Sequence, residues 1–154
     1  MLKHLELKIM PMALVLIIAI LQAGLAAALP QLNVQLPLNG PIGLMLIMLG
    51  IAVVLAGGHA FRRAQTTFDP RQPKAASQLV QRGIYAYSRN PMYLGFLLVL
   101  IGWADWQANL AAFTLLPLFV GYLNRFQIAP EEQAMRELFG AEFDAYCAKV
   151  RRWL

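Results

Sequence analysis

The sequence predicts an all-α integral membrane protein: a small bundle of about four transmembrane helices, with a polar connection and an amphipathic C-terminal helix. Three observations predict this fold. Of 154 residues, 59% are hydrophobic and only 14% are charged, against about 25% charged in an ordinary soluble domain. The apolar residues are gathered into four runs without Asp, Glu, Lys or Arg. The 13 Lys and Arg residues all fall on one side of a single threading through a bilayer. The length suits one domain, residues 1–154.

Residues 10–29 and 41–60 each run about 20 residues, enough to cross roughly 30 Å of hydrocarbon as helix. Residues 92–104 and 110–123 are shorter, near 20 Å of helix each. They either borrow flanking residues to span or form a short hairpin inside the protein. Lys3 and Lys8 ahead of an apolar stretch also suit a cleaved leader. The run is longer than a leader core of about 7–15 residues, so it is read as a span.

Lys and Arg set topology through their excess on the cytoplasmic side. Lys3 and Lys8 precede the first run, and the segment between the first two runs has no charge. The connection, residues 61–91, holds Arg62, Arg63, Arg71, Lys74, Arg82 and Arg89 against one acid, Asp69. The turn around Asp105 and Asn109 has no basic residue, and the tail, residues 125–154, holds Arg125, Arg136, Lys149, Arg151 and Arg152. Four crossings with both termini cytoplasmic put every basic residue on one side. Connection and tail then face the same compartment. The net charge of +5 belongs to topology and anionic headgroups rather than to nucleic acid, since no zinc finger, basic zipper or RNA-binding aromatic box accompanies it.

The connection exceeds the length of a simple turn, and such loops are usually functional or disordered. Asp69-Pro70 and Gln72-Pro73 mark turns, and Ser77 caps a short helix or turn through Leu79-Val80 that Gly83 stops. Pro91 suits the first turn of the next helix, with Asn90 as its cap. Tyr85, Tyr87 and Tyr93 fit an interfacial aromatic belt, and Arg89 a headgroup anchor. In the tail, Pro130 reads as a helix start with Glu131 and Glu132 in its first turn, where the helix dipole favours them. Met135, Leu138 and Phe139 recur at helical spacing, Gly140 interrupts, and Phe143, Tyr146 and Val150 resume it, an amphipathic pattern. Cys147 is the single cysteine, so no intrachain disulfide forms. There is no dinucleotide or phosphate loop and no H-E-x-x-H, and with His4 and His59 alone no His-rich metal centre. Gly57-Gly58 suits close helix packing.

The run Leu79-Val80-Gln81-Arg82-Gly83-Ile84-Tyr85-Ala86-Tyr87-Ser88-Arg89-Asn90-Pro91-Met92-Tyr93-Leu94-Gly95 resembles the signature of the isoprenylcysteine carboxyl methyltransferase family. So do Glu131-Glu132, Leu138-Phe139-Gly140, Phe143 and Tyr146. The wider group includes phospholipid N-methyltransferases. The resemblance covers roughly residue 61 to the C-terminus, and it is more specific for the superfamily than for substrate.

It implies a methyltransferase that takes its methyl group from S-adenosylmethionine, leaves S-adenosylhomocysteine, and binds the donor on the cytoplasmic side. By matching positions, the implied cofactor-binding residues are Ser77, Gln78, Leu79, Val80, Tyr85, Asn90, Pro91, Met92, Tyr93 and Glu131. Arg125 and Tyr93 are the implied catalytic residues, Arg125 to orient an acidic acceptor. The family often has His where this chain has Asn90, and its substrate arginine falls near Gln127, two residues from Arg125. The acceptor implied is a lipophilic small molecule or prenylated species that enters from the lipid. Phospholipid N- or thiol S-methylation on the same scaffold, or a non-catalytic lipid-binding or assembly role, are the alternatives. The minimal length suits a bacterial cytoplasmic membrane.

Overall fold

A computed structural model describes residues 6–34, 38–65 and 76–154. They form seven α-helices in chain order: α1 Pro11–Ala28, α2 Pro41–Arg63, α3 Pro91–Trp106, α4 Leu110–Phe113, α5 Leu116–Tyr122, α6 Ala129–Phe139 and α7 Ala141–Lys149. No strand occurs among the described residues, only an isolated bridge between Asn33 and Asn109. The turns expected at Asp69-Pro70 and Gln72-Pro73, and the cations Lys3, Arg71 and Lys74, lie outside the described residues.

Two helices, α1 and α2, are long and apolar enough to cross a membrane. Only 22% and 17% of their apolar windows are buried inside the protein. A core helix of a soluble domain would be mostly buried, whereas here Met12, Leu16, Ile20, Met48 and Leu55 stand well exposed. Such apolar bands suit a lipid surround. α3 is apolar but shorter.

α3 is the central helix, with α1, α2, α4 and α5 all packed on it. The α2–α3 contact is backbone to backbone. Gly43, Gly50 and Gly57 recur every seventh residue and so share one face of α2. A Cβ at Gly50 would stand 2.5 Å from the Gly95 carbonyl oxygen, and one at Gly43 2.6 Å from that of Gly102. Small residues allow this approach where hydrophobicity gives no preference for neighbour over lipid. α1 is fastened by polar bonds instead. Buried Gln22 donates from Nε2 to the carbonyls of Leu100 (3.3 Å) and Ala112 (3.1 Å), and Trp103 donates to the Ala19 carbonyl at 3.0 Å.

The two ends of the bundle differ. At one, Asn109 caps α4 by accepting from the Ala111 N–H (2.9 Å) and donates to the Leu29 carbonyl and Asn33 Oδ1. Asn39 and the Gly40 N–H donate there to Asp105. At the other end gather the start of α1, the end of α2, the start of α3 and the C-terminal residues.

Three expectations are corrected. The run 110–123 is not one helix: α4 stops at Phe113, and α5 continues through a π-helical stretch, Leu123–Ile128, into α6. Pro130 does stand in the first turn of α6 with Glu131 and Glu132, but no break precedes it, because α6 continues the π stretch. Ile128 and Ala129 keep right-handed helical angles, and the wide π turn accommodates the proline. With no N–H at 130, the carbonyl four residues back at Phe126 lacks its usual donor. The Leu7 N–H donates to that carbonyl at 3.0 Å. Finally, Ser77 caps no helix and Gly83 stops none; the chain is irregular to Arg82, and Gly83, at φ +65°, opens a 3-10 turn, Gly83–Ala86. Gly140 does interrupt the tail helix, at φ +48° between α6 and α7.

Candidate functional site

A cavity of about 240 Å³ opens at the end where the connection and the tail meet. Its walls come from five places: the start of α1 (Met10, Pro11, Met12), the end of α2 (Phe61), the connection (Ala76, Gln78, Leu79, Val80, Tyr85), the start of α3 (Arg89, Asn90, Met92, Tyr93, Phe96) and the tail (Glu131, Glu132, Met135, Phe143, Tyr146). The lining is mostly apolar and aromatic, with few polar groups, the usual make-up of a small-molecule site.

Each polar group is held by a specific contact. Tyr93, on the first turn of α3, donates its hydroxyl to Glu131 Oε1 at 2.6 Å. Gln127, turned inward by the π stretch and 2% exposed, donates Nε2 to the same oxygen at 2.6 Å. Oε2 of Glu131 accepts from no described residue. Burial raises the Glu131 pKa; the two hydrogen bonds pull it back and the neighbouring Glu132 pushes it up, leaving it at about 7.

Glu132 goes the other way. Burial pushes it up, but hydrogen bonds and charge from Arg152 and Arg89 outweigh that and hold it below the usual carboxylate range. Arg89 reaches Glu132 Oε1 at 2.7 Å and gives its other terminal nitrogen to the carbonyls of Val150 (2.6 Å) and Cys147 (3.4 Å). On the aromatic side, the Tyr146 hydroxyl donates to the Tyr85 carbonyl at 2.6 Å. The Tyr85 ring meets Phe61 edge-on at 5.2 Å. Burial, with Tyr146 and Glu131 nearby, pushes the Tyr85 hydroxyl far above its ordinary value, so it stays neutral.

Of the sequence-predicted residues, Gln78, Leu79, Val80, Tyr85, Asn90, Met92, Tyr93 and Glu131 all line this cavity. Ser77 is exposed beside it, and Pro91 is buried in the first turn of α3. Asn90 precedes α3 but makes no side-chain cap; its Nδ2 donates to the Arg152 carbonyl at 3.0 Å. Arg125 is not brought to the cavity. Its side chain is 54% exposed and pairs with Glu6 at 2.9 Å. Arg89, Glu132 and Arg152 were read as an anchor, a helix-end charge and a topology charge, and the structure joins them beside the cavity. The available signal was proximity in sequence: Arg89 next to Asn90, and Glu132 next to Glu131.

The sequence profile of the phospholipid methyltransferase family matches residues 38–142, which hold the Leu79–Gly95 run and the Glu131-Glu132 pair. The chain belongs to the phospholipid methyltransferase family. Within curated proteins, it is 34% identical over 117 residues to the protein-S-isoprenylcysteine O-methyltransferase of Saccharomyces cerevisiae, covering 71% of this chain and 46% of that one. It is 26% identical over 118 residues to a probable protein-S-isoprenylcysteine O-methyltransferase of Oryza sativa subsp. indica, covering 73% and 59% respectively. The chain thus spans about half the length of these methyltransferases. An uncharacterised protein of Haemophilus influenzae is 44% identical along its whole length, over 63 residues and 41% of this chain. No solved structure matches. This member of the phospholipid methyltransferase family has its Tyr93–Glu131 bond in the wall of the cavity, between the segments that family resemblance singled out.

Proposed function

We propose that this protein is an S-adenosylmethionine-dependent membrane methyltransferase acting on a lipophilic acceptor. The observation that carries the reading is the convergence of eight predicted cofactor residues, from two distant segments, on one cavity whose carboxylate has an oxygen to spare. The residues present suit the donor. Glu131 Oε2 offers ribose hydroxyls a charge-assisted acceptor, and Leu79, Val80, Met92 and Phe143 supply apolar contact for the adenine. Tyr85 and Tyr93 bring ring faces and neutral hydroxyls to a sulfonium, a cation–π contribution of about 0.5–2 kcal/mol. The donor supplies an activated methyl group for in-line displacement. The protein's part is therefore to align the reactants and exclude water.

The acceptor enters from the lipid beside Met10 and Met12, which stand 48% and 66% exposed at the start of α1 while lining the cavity. Carboxyl O-methylation follows the names of the yeast and rice relatives. One observation favours a second reading, an amine or thiol acceptor: Arg125 lies outside the cavity and the Arg89 guanidinium is engaged by Glu132 and two carbonyls. An acceptor carboxylate then lacks an anchor. Methyl transfer to a prenylcysteine but not to phosphatidylethanolamine in mixed micelles decides for the first, and the converse for the second. Both termini face the cytoplasm in this reading, with four crossings.

The cofactor is tested by calorimetric titration of the protein in detergent with S-adenosylmethionine and S-adenosylhomocysteine, beside Glu131→Ala. Saturable binding that the variant loses is expected. A folded wild-type protein that binds neither overturns the assignment and leaves the non-catalytic role.

A further inference from the structure

The last five residues do more than end the chain. They run without helix after α7, yet they bond to both polar walls of the cavity. Arg152 donates Nε and a terminal nitrogen to the two oxygens of Glu132, at 3.1 and 2.5 Å. The Arg151 carbonyl accepts from the Arg89 N–H at 3.0 Å, and the Val150 carbonyl from the Arg89 side chain at 2.6 Å. Trp153 donates to Asn124 Oδ1 at 3.0 Å beside the π stretch. One segment thus ties the start of α3 to α6, the elements that carry Asn90 and Glu131.

The bond to Asn90 has a further consequence. A carbonyl oxygen can only accept, so the group facing the Arg152 carbonyl must be the amide nitrogen of Asn90. The amide oxygen is then turned away from the C-terminal segment, and it has no partner among the described residues. Asn90 lines the cavity, so its amide oxygen is an acceptor that it can offer an occupant. Ser88, 1% exposed, reinforces the arrangement: its Oγ accepts from the Asn90 N–H at 3.1 Å.

We propose that Arg152 is a positioning residue of the binding site: its carbonyl turns the Asn90 amide so that an acceptor faces the cavity, and its guanidinium holds Glu132 so that α6 keeps Glu131 in the wall. Two acceptors, Asn90 Oδ1 and Glu131 Oε2, then select a ligand portion rich in hydrogen-bond donors, an ammonium or a vicinal diol. The inference rests on the cofactor reading above. It makes the C-terminus, beyond the stretch that matches the family, part of the site.

The experiment compares full-length wild-type protein with Asn90→Asp, Asn90→His, Arg152→Ala and Arg152→Lys in detergent. S-adenosylhomocysteine affinity is read by calorimetry and the thermal midpoint by unfolding. A neutral imidazole has one N–H for the carbonyl and one lone pair for the cavity, whereas a carboxylate has no proton to donate. Asn90→His should stay within about threefold of wild type and Asn90→Asp should weaken binding about tenfold or more, the scale of one hydrogen bond lost at a charged site. Arg152→Ala should weaken binding about tenfold with a midpoint near wild type, and Arg152→Lys should recover part of it. The proposal is overturned by wild-type affinity in Asn90→Asp or Arg152→Ala, by Asn90→His as weak as Asn90→Asp, or by affinity lost only in step with the midpoint. Absence of binding in the wild type sinks the cofactor reading itself, and this inference with it.

Discussion

In the proposed site, Glu131 is the side chain on which donor binding turns. Its ordinary value of 4.5 is raised to about 7, first by burial. An acid with a raised folded-state pKa favours the folded state at low pH, and that contribution disappears as pH rises through the folded value. In the empty protein, stability should be highest below about pH 4.5 as far as this group is concerned, and should have fallen by on the order of 3 kcal/mol once pH passes 7. Glu131→Gln should therefore raise the thermal midpoint of ligand-free protein at pH 8 and leave it unchanged near pH 4.5. Binding should run the opposite way, because the ionised carboxylate is the better acceptor. Wild-type affinity for S-adenosylhomocysteine should weaken as pH falls below about 7, toward tenfold per unit, and Glu131→Gln should bind weakly with a flat profile. A wild-type profile as flat as that of the variant would remove Glu131 from the binding step.

The helices show why position along an element matters more than residue type. Gly50 and Gly58 are both α2 glycines, but a Cβ at Gly50 meets the Gly95 carbonyl oxygen at 2.5 Å while one at Gly58 meets nothing within 4 Å. Gly50→Ala should push α2 off α3 and cost about 1–3 kcal/mol, as overpacking does. Gly58→Ala should be neutral or slightly stabilising, since alanine is the better helix former. Unfolding in detergent separates the two; equal midpoints would mean that α2 is held by something other than this backbone contact. Of the Gly57-Gly58 pair expected to pack closely, only Gly57 does, against Met92 of the cavity wall. The π stretch is the other element-scale feature. It follows from a proline tolerated inside a helix, and it sets Gln127 and Ile128 inward while Arg125 faces out.

In the whole molecule, the described basic residues gather at the cavity end, while the far end holds Asn33, Asn39, Asn109 and Asp105. Four crossings with both termini cytoplasmic make a direct prediction. With Cys147→Ser as background, a cysteine at Gln65 or Lys149 should react with an impermeant maleimide only from the cytoplasmic face, and one at Gln31 only from the opposite face. Labelling of Gln31 and Gln65 positions from the same face would overturn the threading. The cavity stands at the cytoplasmic end in this arrangement, in reach of a soluble methyl donor, while Met10 and Met12 expose it sideways to lipid.

Local information was enough for much of this. Hydropathy placed α1, α2 and α3 to within a few residues, because a run that must satisfy its backbone in hydrocarbon has little choice but to be helix. Asn90, Pro91, Tyr93 and Glu131 were legible as candidates because their motif lies in two short contiguous stretches. What the sequence left open depended on which distant groups meet. Along the helix that continues into Pro130, the Phe126 carbonyl finds its donor in the distant Leu7 N–H, and Arg125 faces out of the π turn. Arg89, Glu132 and Arg152 looked like separate surface charges, since 43 and 20 residues separate Glu132 from its partners. Periodicity reports the face of a helix that is buried; only the tertiary structure decides what it is buried against, because ion pairs and shared carbonyls act over a few ångströms in space and carry no trace along the chain.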